Sequence, residues 1–107
     1  MIATFAIGNS DDKLPQAAWS AFVGDVHSAV DQVVIDGGRI QFAGYSAPGA
    51  PWQNALWAVE LPDWEPALRE ALRTQLAELA RTYRQDSIAW WETGRAEFLT
   101  PAPAVSR

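Results

Sequence analysis

The chain has 107 residues, 49% of them hydrophobic and 20% charged, which is the length and composition of one globular domain. Acidic residues outnumber basic ones by 13 to 8, and the basic residues form no cluster, so the sequence lacks the basic surface of a nucleic-acid-binding protein. There is no cysteine for disulfides or thiol catalysis, and no apolar run approaches the roughly 20 residues of a membrane span. The N-terminus lacks the pattern of a signal peptide, and we therefore expect a cytoplasmic protein that binds neither nucleic acid nor membrane.

The first elements of the chain are predicted to be a strand and a helix. Residues 2–8 alternate in the period-2 pattern of a strand. Pro15 suits the first turn of a helix, and an apolar stripe at helical spacing predicts that this helix covers about 15–30. The stripe consists of Trp19, Phe22, Val23, Val26 and Val30. We expect Gly24 to let this helix pack closely against the sheet.

Two further strands flank a loop rich in proline and glycine. Val33-Val34-Ile35 allows either a short strand or a continuation of the helix, and we favour a connection into a strand at 39–45. In that strand the alternation places Ile40 and Phe42 on one face, and the other face receives Arg39, Gln41, Ala43 and Tyr45. The stretch 46–54 contains two prolines and a glycine and is predicted to be a loop, followed by a strand at 55–61.

The second half of the chain predicts a long helix and a last strand. Asp63 is expected to cap a helix at about 64–84, with Trp64 packed over its start. Glu65 and Arg69 have the i,i+4 spacing of an ion pair on the solvent side. The last strand is predicted at 87–93, and residues 95–99 can continue it after Gly94.

The order β-α-β-β-α-β predicts an α+β, ferredoxin-like domain over residues 1–99. Its four-stranded antiparallel sheet should have the order 4-1-3-2, with both helices on one face. Residues 100–107 are expected to form a flexible tail.

The open face of this sheet, opposite the helices, is predicted to be unusually apolar. Neighbouring strand residues point to opposite faces, so we place Trp90 with Ile88 in the core and Trp91 on the open face. The open face then collects small and apolar side chains, namely Thr4, Ala6, Gln41, Ala43, Tyr45, Leu56, Ala58, Ala89 and Trp91. A face of this composition should be covered, either by the chain's own Phe98 and Leu99 or, as we favour, by a second copy or a ligand. We predict a homodimer through this face.

The sequence shows no catalytic constellation. His27 is the one histidine, which leaves no partner for a metal pair or proton relay, and we interpret it as structural or solvated. Asp11 and Asp12 are interpreted as turn residues. No phosphate-binding loop or metal-ligand spacing occurs, so no cofactor and no metal are expected. Trp52, in the loop, either anchors a partner or folds back onto the core.

Three segments resemble a group of small uncharacterised actinobacterial and phage-type proteins. They are 8–16 with Trp19, 50–55 and 83–90, and the resemblance spans 1–99 without implying an activity. In fold, the chain looks like the dimeric α/β-barrel superfamily, which includes the antibiotic-biosynthesis monooxygenases. That likeness implies two sheets paired face to face, in some members around a substrate pocket that works without a cofactor. No catalytic motif of that superfamily is matched residue by residue.

The sequence favours a non-enzymatic, homodimeric module that binds a protein or a small ligand. The candidate binding residues are Gln41, Tyr45, Trp52, Asn54 and Trp91. One alternative is a cofactor-independent oxygenase or isomerase, which should gather polar groups such as Tyr45, Gln41, Asn54 or Asp86 around an apolar cavity. Another alternative is a mobile-element or phage protein that inhibits a host partner.

Overall fold

The structure, a computed structural model, describes residues 1–9, 13–47, 53–92 and 95–103, with only the backbone described at 95–98. The elements in chain order are β1 (Ile2–Gly8), α1 (Gln16–Ile35), β2 (Arg39–Tyr45), β3 (Asn54–Glu60), α2 (Pro66–Thr82), β4 (Ile88–Glu92) and β5 (Arg95–Leu99). The strands form one antiparallel sheet in the order β2-β3-β1-β4-β5. The predicted ferredoxin-like βαββαβ arrangement is therefore confirmed, with β5 as an additional strand at the edge.

The core lies between the sheet and the two helices and contains a row of three aromatic rings. Phe5 of β1 stands opposite Trp57 of β3 and Trp90 of β4 in the strand register. The ring centroid of Phe5 lies 5.8 Å from that of Trp57 and 5.7 Å from that of Trp90, and both pairs are stacked. Such pairs add about 0.5–1.5 kcal/mol each to the effect of burial. Trp19, on α1, is also buried, and the predicted core position of Trp90 is confirmed.

A polar contact joins the two helices at the surface of the core. The hydroxyl of Tyr83, just after α2, donates to Asp25 Oδ2 on α1 at 2.5 Å. Its ring stacks on Phe22 of α1 with centroids 4.6 Å apart. The hydrogen bond to Asp25 and partial burial raise the pKa of Tyr83 to about 12, so the hydroxyl keeps its proton and remains a donor at physiological pH.

The end of α1 differs from the prediction. The helix runs on through Val33, Val34 and Ile35, so the favoured connection is wrong there, although the strand that follows is confirmed at Arg39–Tyr45. The N–H groups of Gly37 and Gly38 donate to the carbonyls of Val34 and Val33 at 3.2 and 2.9 Å. Gly37 has φ of 110°, which closes this C-terminal motif at low cost because glycine has no β-carbon.

The end of α2 repeats the same motif without a glycine. Arg84 has φ of 53°, in the left-handed region. The backbone N–H of Arg84 donates to the carbonyl of Arg81 at 3.2 Å, and the backbone N–H of Gln85 donates to the carbonyl of Ala80 at 2.8 Å. The side chain of Gln85 also donates to the carbonyl of Tyr83 at 3.0 Å, so it satisfies an open carbonyl at the helix end.

Three predictions about the start of α2 are wrong. The helix begins at Pro66, and Asp63 makes no cap, because its carboxylate accepts from the N-terminal ammonium group at 3.1 Å. Trp64 is 80% exposed and does not pack over the helix start. Arg69 turns toward β4 and binds Glu92 there, so it does not form the predicted pair with Glu65 on the solvent side.

A β-bulge in β2 reverses the face of every residue after it. Ile40 pairs with Val59 and Phe42 pairs with Ala58, so Gln41 is the extra residue between them. Ala43 and Tyr45 consequently stand opposite Trp57 and Ala55 on the helix side. Phe42 and Gly44 take their places on the open face. The predicted face for Ala43, Tyr45 and Phe42 is therefore wrong, because one unpaired residue shifts the period-2 pattern by one step.

The C-terminal segment extends the sheet at its edge. β5 pairs in plane with β4, and Leu99, opposite Ile88, is 8% exposed and belongs to the core. Beyond it, the N–H of Ala102 donates to the carbonyl of Ala77 on α2 at 3.1 Å, on the helix side of the sheet. Leu99 is therefore unable to cover the open face, whereas the register places Phe98 opposite Ala89, at the edge of that face. Among the described helices, none has the length and apolar character needed to cross a membrane.

Candidate functional site

Two surfaces of the described structure are candidates for function. The first is a cleft between α1 and the end of the β2–β3 hairpin, with a volume of about 450 Å³. The α1 side of the cleft consists of Gln16, Trp19, Ser20, Val23, Gly24 and His27. The hairpin side consists of Tyr45, Ser46, Ala47 and Gln53. This volume lies in the range of small-molecule sites.

An amide network fixes the end of the cleft where β1, α1 and β3 meet. Gln53 and Gln16 bind each other reciprocally, with N–O distances of 2.7 and 3.0 Å. Gln53 Oε1 accepts a second hydrogen bond, of 2.9 Å, from Asn9 Nδ2. Asn9 in turn binds both the carbonyl and the N–H of Leu14 at 2.9 Å. Asn9 and Gln53 are 2% and 7% exposed, so this part of the network is buried and hydrogen-bonded, whereas Gln16 lies at the surface.

His27 has both ring nitrogens directed at protein groups. Its Nδ1 accepts a hydrogen bond of 3.2 Å from the indole Nε1 of Trp57. In the neutral imidazole the proton is then on Nε2, which lies 3.6 Å from Asp31 Oδ1, one turn further along α1. Neither nitrogen offers a free lone pair to the cleft, which is what a general base would need.

The second surface is the open face of the sheet, which carries two exposed aromatic residues. One row across the strands runs Phe42, Ala58, Thr4 and Trp91 in the pairing register. Phe42 is 55% exposed and Trp91 is 38% exposed, whereas Ala58 and Thr4 between them are small. Among the described side chains of this face, the formal charges are those of Arg39 and Glu60, which pair with each other at 3.0 Å. This face is therefore uncharged on balance and largely apolar, as predicted.

The structure divides the sequence-predicted binding residues between these surfaces. Tyr45 is 74% exposed and lines the cleft. Asn54 lies with Phe42, and again with Tyr45, in a shallow depression at the edge of the same hairpin, so the structure brings Tyr45 and Asn54 together there. Trp91 lies across the sheet on β4, and Gln41 is exposed at the bulge. The structure does not bring these four residues into one site.

The prediction for Trp52 lies outside the described residues, as do Asp11 and Asp12. Asp86, the other polar group expected near an enzyme's cavity, lies 3.9 Å from Lys13 Nζ and does not line the cleft. Gly24 does not bring α1 close to the sheet, because a β-carbon at Gly24 would meet nothing within 4 Å. Gly24 instead forms part of the cleft wall, and its predicted role is wrong.

Sequence reasoning missed the residues that shape the cleft, namely Asn9, Gln16, Gln53 and the indole of Trp57 that holds His27. Asn9 follows β1, Gln53 precedes β3 and Gln16 begins α1, and polar residues are usual at such positions and carry no signal of their own. The one available hint is that Asn9, Gln16 and Gln53 all lie in the segments that carry the resemblance, at 8–16 and 50–55.

A third polar cluster is a structural anchor between α2 and β4. Arg69 binds Glu92 through two hydrogen bonds of 2.7 and 2.6 Å, and Arg73 Nη1 lies 3.7 Å from the same carboxylate. The indole of Trp90 donates to Glu92 at 3.1 Å. The pKa of Glu92 is lowered from its ordinary value of 4.5 to about 2, chiefly by the hydrogen bonds from Arg69. Within the part of the chain that the structure describes, no group of acidic or histidine side chains could hold a metal ion.

Fold and surfaces together define a small ferredoxin-like α+β protein with an apolar open face and a separate cleft beside α1. No family model matches the chain, and no curated protein matches it. A solved structure described as a phage SAM lyase in the apo state is similar over 97% of this chain and 91% of that chain, with 15% identity and a TM-score of 0.48.

Proposed function

We propose that the protein is a non-enzymatic binding module that works as a homodimer, with the open faces of two copies packed against each other. The observation that carries the proposal is the row across the open face, in which exposed Phe42 and Trp91 flank the small residues Ala58 and Thr4.

The shape of this row suits a second copy. Strands are about 4.8 Å apart, so the aromatic residues on β2 and β4 stand roughly 14 Å apart with a trough of small side chains between them. Two sheets packed face to face lie about 10 Å apart, which requires large side chains of one sheet to fill low places in the other. A two-fold axis can place each aromatic residue of one copy over the small residues of its partner.

The charge of the face also suits a second copy. The chain carries a net charge of −5, and two copies would repel each other through an acidic surface. On the described open face the charges of Arg39 and Glu60 neutralise each other, so this face is a surface through which two copies can approach without repulsion.

Two observations favour binding over catalysis. Both nitrogens of His27 are directed at protein groups, so the histidine beside the cleft does not serve as a base. The most strongly perturbed acid of the described residues, Glu92, is bound by Arg69 and Trp90 on the helix side of the sheet, and it does not line the cleft. Polar groups do border the cleft, but they are amides, hydroxyls and this histidine, which suit recognition.

Introducing a charge among the small residues of this row tests whether the open faces form the dimer interface. Ala58→Glu places two like charges face to face across the two-fold axis, and we expect it to weaken dimerisation at least tenfold. Thr74→Glu is the matched control, because it adds the same charge at an exposed position of α2. Sedimentation at micromolar concentrations should show a species of twice the 11.7 kDa chain mass for the wild type and for Thr74→Glu, and a monomer for Ala58→Glu.

Far-ultraviolet circular dichroism checks that Ala58→Glu remains folded. A wild-type protein that stays monomeric up to high concentration would overturn the proposal. So would a dimer that Ala58→Glu leaves intact, because the interface would then lie elsewhere.

A further inference from the structure

We infer that the cleft beside α1 is a binding site for an uncharged, planar ring compound that carries a hydrogen-bond donor and acceptor, such as a ring carboxamide. The inference goes beyond the proposed dimer and does not depend on it, because the cleft lies on the helix side of the sheet and the proposed interface lies on the other.

The size and walls of the cleft indicate a ring. Its volume is about 450 Å³, enough for one small ring system with substituents. Trp19, which is 7% exposed, forms a fixed wall, whereas the ring of Tyr45 is 74% exposed at the mouth. Aromatic side chains in this arrangement favour a flat apolar ligand, which can stack on them.

The polar groups of the cleft indicate that this ligand is uncharged. The described lining contains no aspartate, glutamate, lysine or arginine. Among these described lining residues a charged ligand would lose part of its hydration without gaining a counter-ion, which is costly. A neutral ligand loses less, and it can replace its hydrogen bonds to water with bonds to the amides and hydroxyls.

The reciprocal amide pair indicates the kind of polar group that is recognised. Gln16 uses one N–H and one oxygen lone pair to bind Gln53, at 3.0 and 2.7 Å. A primary amide has a second N–H and a second lone pair, and Gln16 is exposed, so it can present both a donor and an acceptor to a ligand. Gln53 Oε1 already accepts two hydrogen bonds and holds Gln16 in place. A carboxamide complements such a donor and acceptor, whereas a carboxylate only accepts and an amidinium only donates.

The cleft is already formed in the free protein. Asn9 and Gln53 are buried and hydrogen-bonded, and His27 is held by Trp57 at 3.2 Å. A ligand therefore does not have to order these side chains when it binds, which lowers the cost of association.

A set of isosteric probes tests the charge preference. Benzamide, benzoate and benzamidinium have nearly the same shape and differ in charge. We expect benzamide to shift the indole N–H resonances of Trp19 and Trp57 saturably, with a Kd on the order of millimolar for so small a ligand. Benzoate and benzamidinium should bind at least tenfold more weakly. The indole of Trp57 is informative because its hydrogen bond to His27 lies at the cleft wall.

A variant that fills the cleft tests the location. A β-carbon at Gly24 would meet nothing within 4 Å, so Gly24→Leu can extend into the cleft without disturbing the fold. It also replaces a helical glycine with a strong helix former. Ala21→Leu is the matched control, because it adds a leucine at an exposed position of α1 outside the cleft lining. We expect Gly24→Leu to weaken benzamide binding at least tenfold and Ala21→Leu to change it less than twofold.

The results of the benzamide experiments decide whether the cleft binds such a ligand, and they do not depend on whether the protein is a dimer. Absence of a saturable benzamide shift, or equal binding of benzoate, overturns the inference. Binding that survives Gly24→Leu also overturns it, because the probe must then lie elsewhere. If Gly24→Leu fails to fold, Ser20→Leu on the same wall gives the same test. The Ala58→Glu monomer should bind benzamide like the wild type, so failure of the dimer proposal leaves this result unchanged.

Discussion

Replacing Glu92 by glutamine should remove a pH-dependent part of the stability at the junction of α2 and β4. The side chain of Glu92 is 14% exposed and binds Arg69 at 2.7 and 2.6 Å. Arg73 lies 3.7 Å from it, and the indole of Trp90 donates to it at 3.1 Å. These groups all favour the ionised carboxylate, and they outweigh the effect of burial, so the pKa is about 2.

The size and sign of the effect follow from this pKa. A pKa lowered from 4.5 to about 2 corresponds to roughly 3 kcal/mol between the two protonation states. Screening by solvent at a partly exposed site reduces this, and we expect about 1–3 kcal/mol. Because the pKa is lower in the folded state, the contribution is complete above the unfolded-state value and is lost as the pH falls toward about 2.

Urea denaturation of the wild type, Glu92→Gln and Glu70→Gln, across the pH range from neutral to about 2, measures this contribution. Glu70 is the matched control, because its carboxylate also contacts Arg69 but its side chain is 62% exposed. We expect Glu92→Gln to lower the free energy of unfolding by about 1–3 kcal/mol at neutral pH, with the difference narrowing as the pH falls. Glu70→Gln should cost no more than about 0.5 kcal/mol. A Glu92→Gln difference that stays constant with pH, or an equal effect of Glu70→Gln, would refute this reasoning.

Substitutions at the C-terminal ends of α1 and α2 should change the stability in opposite directions. Gly37→Ala introduces a β-carbon at φ of 110° and should lower the free energy of unfolding by about 1–2 kcal/mol. Arg84→Gly removes the β-carbon at φ of 53° and should raise the free energy of unfolding by up to about 1 kcal/mol. Thermal denaturation checks both, and a stabilised Gly37→Ala or a strongly destabilised Arg84→Gly would contradict the backbone conformations at these ends.

The element order could be predicted because it depends on local periodicity. The alternation in 2–8, 55–61 and 87–93 and the apolar stripes of the helices are properties of neighbouring residues. The opposite orientations of Trp90 and Trp91 follow from the same alternation, and the structure confirms them with 1% and 38% exposure.

Polar contacts between distant segments could not be predicted in the same way. Glu65 and Glu70 both lie near Arg69 in sequence. The carboxylate that Arg69 binds through two hydrogen bonds is nevertheless that of Glu92, 23 residues away. Helical spacing describes which side chains can meet along one helix, but the sheet determines which carboxylate lies beneath it. The same holds for the cleft, where Gln16 meets Gln53 across 37 residues.

The bulge at Gln41 accounts for the wrong face of Tyr45, and deleting that residue tests the explanation. Since Ile40 already pairs with Val59 and Phe42 with Ala58, removal of Gln41 leaves every pairing of β2 unchanged and restores a regular strand. We expect this deletion to change the free energy of unfolding by less than about 1 kcal/mol and to leave Tyr45 at the cleft.

Deletion of Ala58 is the matched control for the deletion of Gln41. β3 pairs without a bulge along β1, so losing Ala58 reverses the faces of half the strand and should unfold the domain. Circular dichroism and urea denaturation compare the two deletions. If deleting Gln41 lowers the free energy of unfolding as much as deleting Ala58, then Gln41 is a paired strand residue. Ala43 and Tyr45 would in that case lie on the open face, as the sequence alone predicts.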